Sequence, residues 1–180
     1  MEERYVSIGN LAATRALPTE SFAVLEALAS LIVPTDGHGP GAIEARVAIE
    51  LDRTLIGNPA RRMQYFLGLR AFDDYARTRF GSGFPTLPHH RQLELLSAVH
   101  QAGERIHSEA GSLAERAQRK ISYWYYARWH RLLPLIEFWI IVRADVLTVF
   151  YSSREAWDWL GYDGPPFPNG YVNDLRTANS

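Results

Sequence analysis

The chain has no cysteine. That excludes a disulfide, a thiolate zinc site, a cysteine-held iron–sulfur cluster and a thiol nucleophile built from this chain alone, and it leaves the redox compartment undecided. Lysine is almost absent too: of the 19 basic residues only Lys120 is a lysine. The arginines in its place suit planar, interface-forming contacts, although Arg-rich codon usage explains the bias equally well. Charge is nearly balanced, at a formal net −1, so nothing draws the whole molecule toward nucleic acid or an anionic membrane. No apolar stretch of about 7 to 15 residues marks a secretory signal near the N-terminus. The most apolar run, Tyr123 to Tyr151, is interrupted by Arg128, His130, Arg131, Pro134, Glu137, Arg143 and Asp145. It falls short of the roughly 18 uninterrupted apolar residues of a spanning helix, so no membrane insertion is expected. Repeats, low-complexity tracts, β-hairpin signals and a Gly-x-Ser-x-Gly nucleophile elbow are also missing.

What is present is an ordinary globular composition, 180 residues with 47% hydrophobic and 22% charged, enough for one domain with one sizeable core. Helical periodicity dominates. Phe22, Leu25, Leu28, Ala29 and Ile32 share a face of a helix that Thr19 or Ser21 caps and Pro34 ends. Ile43, Val47, Leu51 and Leu55 recur at i+4 and predict a second helix stopped by Gly57. Asn58-Pro59 is a cap followed by proline at the first helical position, and it leads into Met63, Phe66, Leu67, Leu69, Phe72 and Tyr75. A break over residues 80–88 precedes a fourth helix from about Pro88 to Ala110, with Leu93, Leu96, Val99 and Ile106 inward. A fifth helical region from Leu113 to about Tyr151 is expected to bend or break near Pro134. It is apolar on too many sides for a surface helix and is expected to be central or covered. From Ser152 the period disappears while Trp157, Trp159, Tyr162, Phe167 and Tyr171 alternate with Gly and Pro. The expected architecture is all-α: an N-terminal arm over 1–18, a bundle of about five helices over 19–151, and an irregular aromatic tail over 152–180.

Several constellations invite a chemical reading. Residues 31–42, LIVPTDGHGPGA, gather Asp36, His38 and three glycines. A dinucleotide fingerprint needs a preceding strand, and here a helix precedes; two potential metal ligands from one loop do not complete a site. A helix–helix corner, with Pro ending one helix and Gly reversing the chain, accounts for the composition better. Glu104-Arg-Ile-His107, with His100 one turn earlier, matches half of a di-iron bundle site, but the second Glu-x-x-His is missing. A stand-alone metal-dependent enzyme using His100, Glu104 and His107 is therefore the alternative reading, against a simple solvated face. Arg116 to Arg131 interleave cations with aromatics as a single-strand nucleic-acid platform does, but helical spacing separates them into two edges, and no nucleic-acid partner is expected. Asp73 and Asp74 are adjacent, so on a helix they diverge by about 100° and do not form a working carboxylate pair.

Three stretches together are similar to a known family. LIVPTDGHGPGAIEARVAIELDRTL at 31–55, FPTLPHHRQLELLSAV at 84–99 and FYSSREAWDWLGYDGPP at 150–166 resemble the gluconate 2-dehydrogenase subunit 3 family, the small non-catalytic subunit of flavin-dependent sugar dehydrogenases. The resemblance spans roughly residues 20–166. It implies a helical accessory protein without a cofactor of its own, which supports the folding of a large FAD-containing subunit of the glucose-methanol-choline (GMC) oxidoreductase type. A cytochrome c subunit often completes such complexes. Members of the family often carry a twin-arginine signal, whereas no Arg-Arg pair precedes residue 20 here. The expected location is cytoplasmic as encoded, or periplasmic if such a signal has been trimmed or the partner carries it. The aromatic and Arg content fits interface cores. On this reading Asp36, His38, Trp157, Trp159, Tyr162 and Phe167 are candidate partner-binding residues, although tail aromatics that seal the open end of the bundle would serve as well.

Overall fold

Proline and glycine punctuate the chain where its helices begin and end. The computed structural model describes residues 15–108 and 132–162, apart from the side chains of 105–108. Among the described residues there are six α-helices and no strand: α1 Thr19–Ile32, α2 Val47–Ile56, α3 Pro59–Phe80, α4 His89–Ser108, α5 Leu133–Tyr151 and α6 Arg154–Leu160. A single 3₁₀ turn, Phe84–Thr86, links α3 to α4. The all-α expectation holds. None of the described helices is long and apolar enough to cross a membrane.

The helix ends follow the chemistry of their residues. Asn58 caps α3, its side-chain oxygen accepting from the Arg61 amide at 3.0 Å, with Pro59 in the first turn where a missing N–H costs nothing. Gly81 closes the same helix in the left-handed conformation. Pro134 likewise sits in the first turn of α5 and starts that helix. Residues 109–131, including the Arg116–Arg131 cluster and the first half of the expected fifth helical region, lie outside the described residues.

α5 packs against α1, α2, α3, α4 and α6, which makes it the central helix that its all-round apolar character required. Its approach to α3 is set by Gly68: a Cβ there would lie 2.1 Å from the Phe138 ring, so that ring rests directly on the α3 backbone. Around this crossing Tyr65 meets Phe138 edge-on at 5.2 Å, and Phe72 meets Phe138 at 6.2 Å and Phe84 at 5.9 Å. One polar group is admitted at the margin. Asp145 on α5 accepts from the buried Tyr65 hydroxyl at 2.5 Å and from Arg61 at 2.7 Å. Burial, followed by the bond to Asp145, raises the Tyr65 pKa, so the phenol stays a donor.

A buried acid ties down the start of the bundle. Asp52 on α2, only 4% exposed, accepts from the backbone amides of Ala16 at 3.1 Å and Leu17 at 2.9 Å. The core thus reaches back to Leu17, just before α1.

Five expectations need correction. Neither Thr19 nor Ser21 caps α1, which starts at Thr19 after Pro18 with no side-chain cap, and Ser21 is buried within the helix. Ile43 does not share the α2 core face: α2 begins at Val47, Arg46 interrupts the helix, and Ile43 is 61% exposed while Ala42 and Ala45 are buried. On α3, Met63 and Leu67 are exposed, and Tyr65, Gly68 and Ala76 join Leu69 and Phe72 inside. On α4 the inward residues are Leu95, Leu96 and Val99, with Leu93 exposed, and Ile106 lies outside the described side chains. The stretch after Ser152 is not wholly irregular. Ser153 caps α6 by accepting from the Ala156 amide, and Gly161 ends it in the left-handed conformation; the helix is too short for its period to show in the sequence.

Gly68→Ala is expected to lower stability by about 1–3 kcal/mol in chemical denaturation, by forcing Phe138 off the α3 backbone. In a Phe138→Ala background the same change should cost far less, a coupling that a double-mutant cycle measures.

Candidate functional site

The loop between α1 and α2 is closed at its neck by a backbone bond from the Ala42 amide to the Val33 carbonyl at 2.9 Å. Inside the neck Glu44 acts as a brace. Its carboxylate accepts from the Thr35 hydroxyl at 2.8 and 3.0 Å and from the Gly41 amide at 2.9 Å, half of a capping box that reaches back to the first residue of the turn. Gly41 has no room for a side chain, since a Cβ would lie 2.4 Å from the Thr35 hydroxyl. Donation from its own backbone amide, then from Thr35, and also from Gly41, holds the Glu44 carboxyl below its ordinary range.

At the tip, the Asp36 carboxylate accepts from the His38 amide at 3.0 Å across Gly37, which takes a positive φ of 78°. This is an Asx turn. Asp36 therefore braces the corner from within. His38 uses its backbone carbonyl and leaves its imidazole on an exposed residue.

That carbonyl is where the tail arrives. Trp159 on α6 donates its indole N–H to His38 at 2.6 Å, across 121 residues of chain. Its ring covers Gly39 so closely that a Cβ there would lie 2.5 Å from it. The loop glycine is a seat for an indole. Trp157 donates to the Tyr151 carbonyl at 2.6 Å and meets Tyr162 edge-on at 6.0 Å, which fixes α6 to the end of α5.

Of the candidate partner-binding residues, the structure brings Asp36, His38, Trp157, Trp159 and Tyr162 to one end of the bundle, while Phe167 lies outside the described residues. Large apolar side chains remain open there: Trp159 is 48% exposed and Leu160 55%, with Tyr151 and Tyr162 similarly placed. His100 and Glu104 are exposed on α4, and the His107 side chain is not among those described. Among the described residues no three His, Asp or Glu side chains converge on one point. Asp73 and Asp74 have separate tasks: Asp73 accepts from Arg77 and from the Phe84 amide, and Asp74 faces Arg70.

Sequence reasoning did not find Gly39 as the Trp159 seat or Glu44 as the neck brace. The first joins residues 120 positions apart and leaves no local pattern. The second was legible in principle, as a Glu three residues after the turn's first glycine.

Fold and latch together define the class: a small all-α bundle protein whose first interhelical loop and C-terminal helix are joined at one end. The chain matches the family model for Gluconate 2-dehydrogenase subunit 3 over residues 19–164, and it belongs to that family. The family is that of a subunit of the gluconate 2-dehydrogenase complex, which implies a dehydrogenase partner. No curated protein and no solved structure gives a significant match.

Trp159→Phe removes the bond to His38 and is expected to cost about 0.5–1.5 kcal/mol. The loss should be local, seen as faster amide exchange in α6 and in the loop, and Gly39→Ala should reproduce it. The depressed Glu44 carboxyl gives a pH dependence of defined sign. Its contribution is present above the unfolded value near 4.5 and is lost as the pH falls through the lower folded value. The Thr35 and Gly41 amide resonances should therefore move together in acid and stay fixed in Glu44→Gln.

Proposed function

We propose that this chain is the non-catalytic accessory subunit of a flavin-dependent sugar dehydrogenase. It binds the large FAD-containing catalytic subunit, of the GMC oxidoreductase type, and supports its folding and stability. FAD belongs to that partner, and a cytochrome c subunit is a further member of such an assembly.

The observation that carries this reading is the latched α6. A bundle of this size has no need to hold a seven-residue helix against a remote loop and still leave its Trp159 and Leu160 side chains, and Tyr162 just beyond it, half open. Large apolar side chains that are fixed and exposed together mark contact surfaces. On this reading the docking residues are Trp157 and Trp159 from α6 and Tyr162 and Phe167 beyond it, with Asp36 and His38 shaping the loop against which α6 lies. A stable interface covers about 800 Å² per partner. Half-open aromatic residues supply on the order of 100 Å² each. The contact must therefore extend from α6 across the neighbouring surface of the bundle.

The test is expression of the catalytic subunit with and without this chain. Soluble, FAD-loaded and active catalytic subunit is expected only, or in several-fold greater yield, when the chain is present, and the two should co-purify. A catalytic subunit that folds, binds FAD and turns over at full rate alone contradicts the proposal.

A further inference from the structure

A hydroxyl inside a helix can return to a carbonyl three or four residues back, and Ser30, Thr54, Thr78 and Thr148 all do so. Ser21 does not. It sits in the first turn of α1, only 8% exposed, and its hydroxyl neither caps the helix nor bonds to any other described group. A buried polar group left without a partner carries a cost that folding usually removes. Among the described residues the one side-chain polar atom sealed from solvent without a partner is the Trp139 indole nitrogen. The Ser21 oxygen is therefore open, and it opens onto a groove between α1 and α3.

The groove holds about 310 Å³, which is at the lower end of the range for small-molecule sites. Its floor is apolar: Val24 and Leu69 are buried and Phe66 is half-buried. Its walls carry both signs of charge. Arg77 reaches Asp73 at 2.7 Å and Arg70 faces Asp74 at 3.7 Å, each through Nε alone, which leaves the terminal N–H groups of both arginines as donors. Glu20 stands near Arg77 without forming an ion pair and remains an acceptor. Three acids against two arginines, beside the positive end of an uncapped helix, leave the groove close to neutral. A strongly charged ligand of either sign meets like charge on one wall or the other.

We propose that this groove binds a neutral cyclic polyol, the chemical class of a monosaccharide ring. The C–H face of such a ring lies on Phe66 and Leu69, because its weakly positive hydrogens favour the negative face of an aromatic side chain. Its hydroxyls donate and accept at once. They accept from the terminal N–H groups of Arg77 and donate to the Glu20 or Asp74 carboxylate, in charge-assisted bonds that use both walls. Ser21 gains the partner it lacks inside the chain. The site is built from α1 and α3 and owes nothing to the dehydrogenase, so it stands or falls separately from the accessory role.

Titration of the full chain with glucose and with myo-inositol, followed through its amide resonances, should give saturable shifts confined to residues 18–24 and 66–77, with a Kd in the millimolar range suited to an open groove. Ser21→Ala should leave the melting temperature unchanged or raised, because no bond within the fold is lost, and should weaken polyol binding several-fold, up to about tenfold. Arg77→Gln, at an exposed position, should weaken it to a similar extent. No saturable shift with either polyol overturns the proposal. So does native affinity in both variants, or a lowered melting temperature in Ser21→Ala, which would show the hydroxyl engaged within the fold. A groove that answers to inorganic phosphate or methylammonium but to neither polyol is a charge site, and that result overturns the proposal as well.

Discussion

The contact on which the bundle depends is the Phe138 ring lying on the α3 backbone at Gly68. It fixes how closely the central helix approaches α3, and with it the places of Tyr65, Phe72 and Phe84 around the crossing. Close-packed interiors do not adjust by fractions of an ångström without cost, so the position of α5 passes to every helix it touches. At its far end α5 delivers Tyr151, whose carbonyl holds Trp157, and so orients α6 toward the loop after α1. One glycine in the middle of the bundle thereby determines where Trp159 can reach.

The polar groups around this core stabilise joints. Asp52 collects the amides before α1, Asp145 joins α3 to α5, and Asp73 accepts from Phe84 in the turn after α3. Glu44 does the same for the loop neck. Each carboxylate accepts at least one donor from another segment, which fixes the relative positions of the two, and only Asp52 is buried in doing so. Arg46 departs from this pattern: it takes a positive φ of 51° and pairs with no carboxylate among the described residues.

The helices were legible from periodicity and from their caps, most clearly at Asn58-Pro59 and Pro34. Their inward faces were read less well where an apolar residue competed with small ones. Ile43 fits the i+4 spacing of α2, but Ala42 and Ala45 allow a tighter turn to bury itself, and the Schellman geometry then turns Ile43 outward. Gly68 was invisible for a related reason: a helix-interior glycine acquires its meaning only from the ring that rests on it. The candidate site was legible in its parts, since residues 31–42 and the aromatic tail both stood out. Their contact was not, because a bond between residues 38 and 159 has no signature in either segment. The alternation of aromatics with glycine suggested irregular chain, yet Ser153 and Gly161 are the two ends of a short helix.

A chain of the gluconate 2-dehydrogenase subunit 3 family thus presents, at one end of a rigid bundle, a loop and a helix held to each other with apolar faces outward. We propose that this end is the surface the dehydrogenase subunit covers. Hydrogen–deuterium exchange of the chain, free and in complex with that subunit, tests it most directly. Slowed exchange over residues 34–49 and 150–162, with α3 and the first turns of α4 unchanged, is the predicted result. Protection confined to the exposed faces of α3 and α4, with the loop and α6 exchanging as in the free chain, would contradict it.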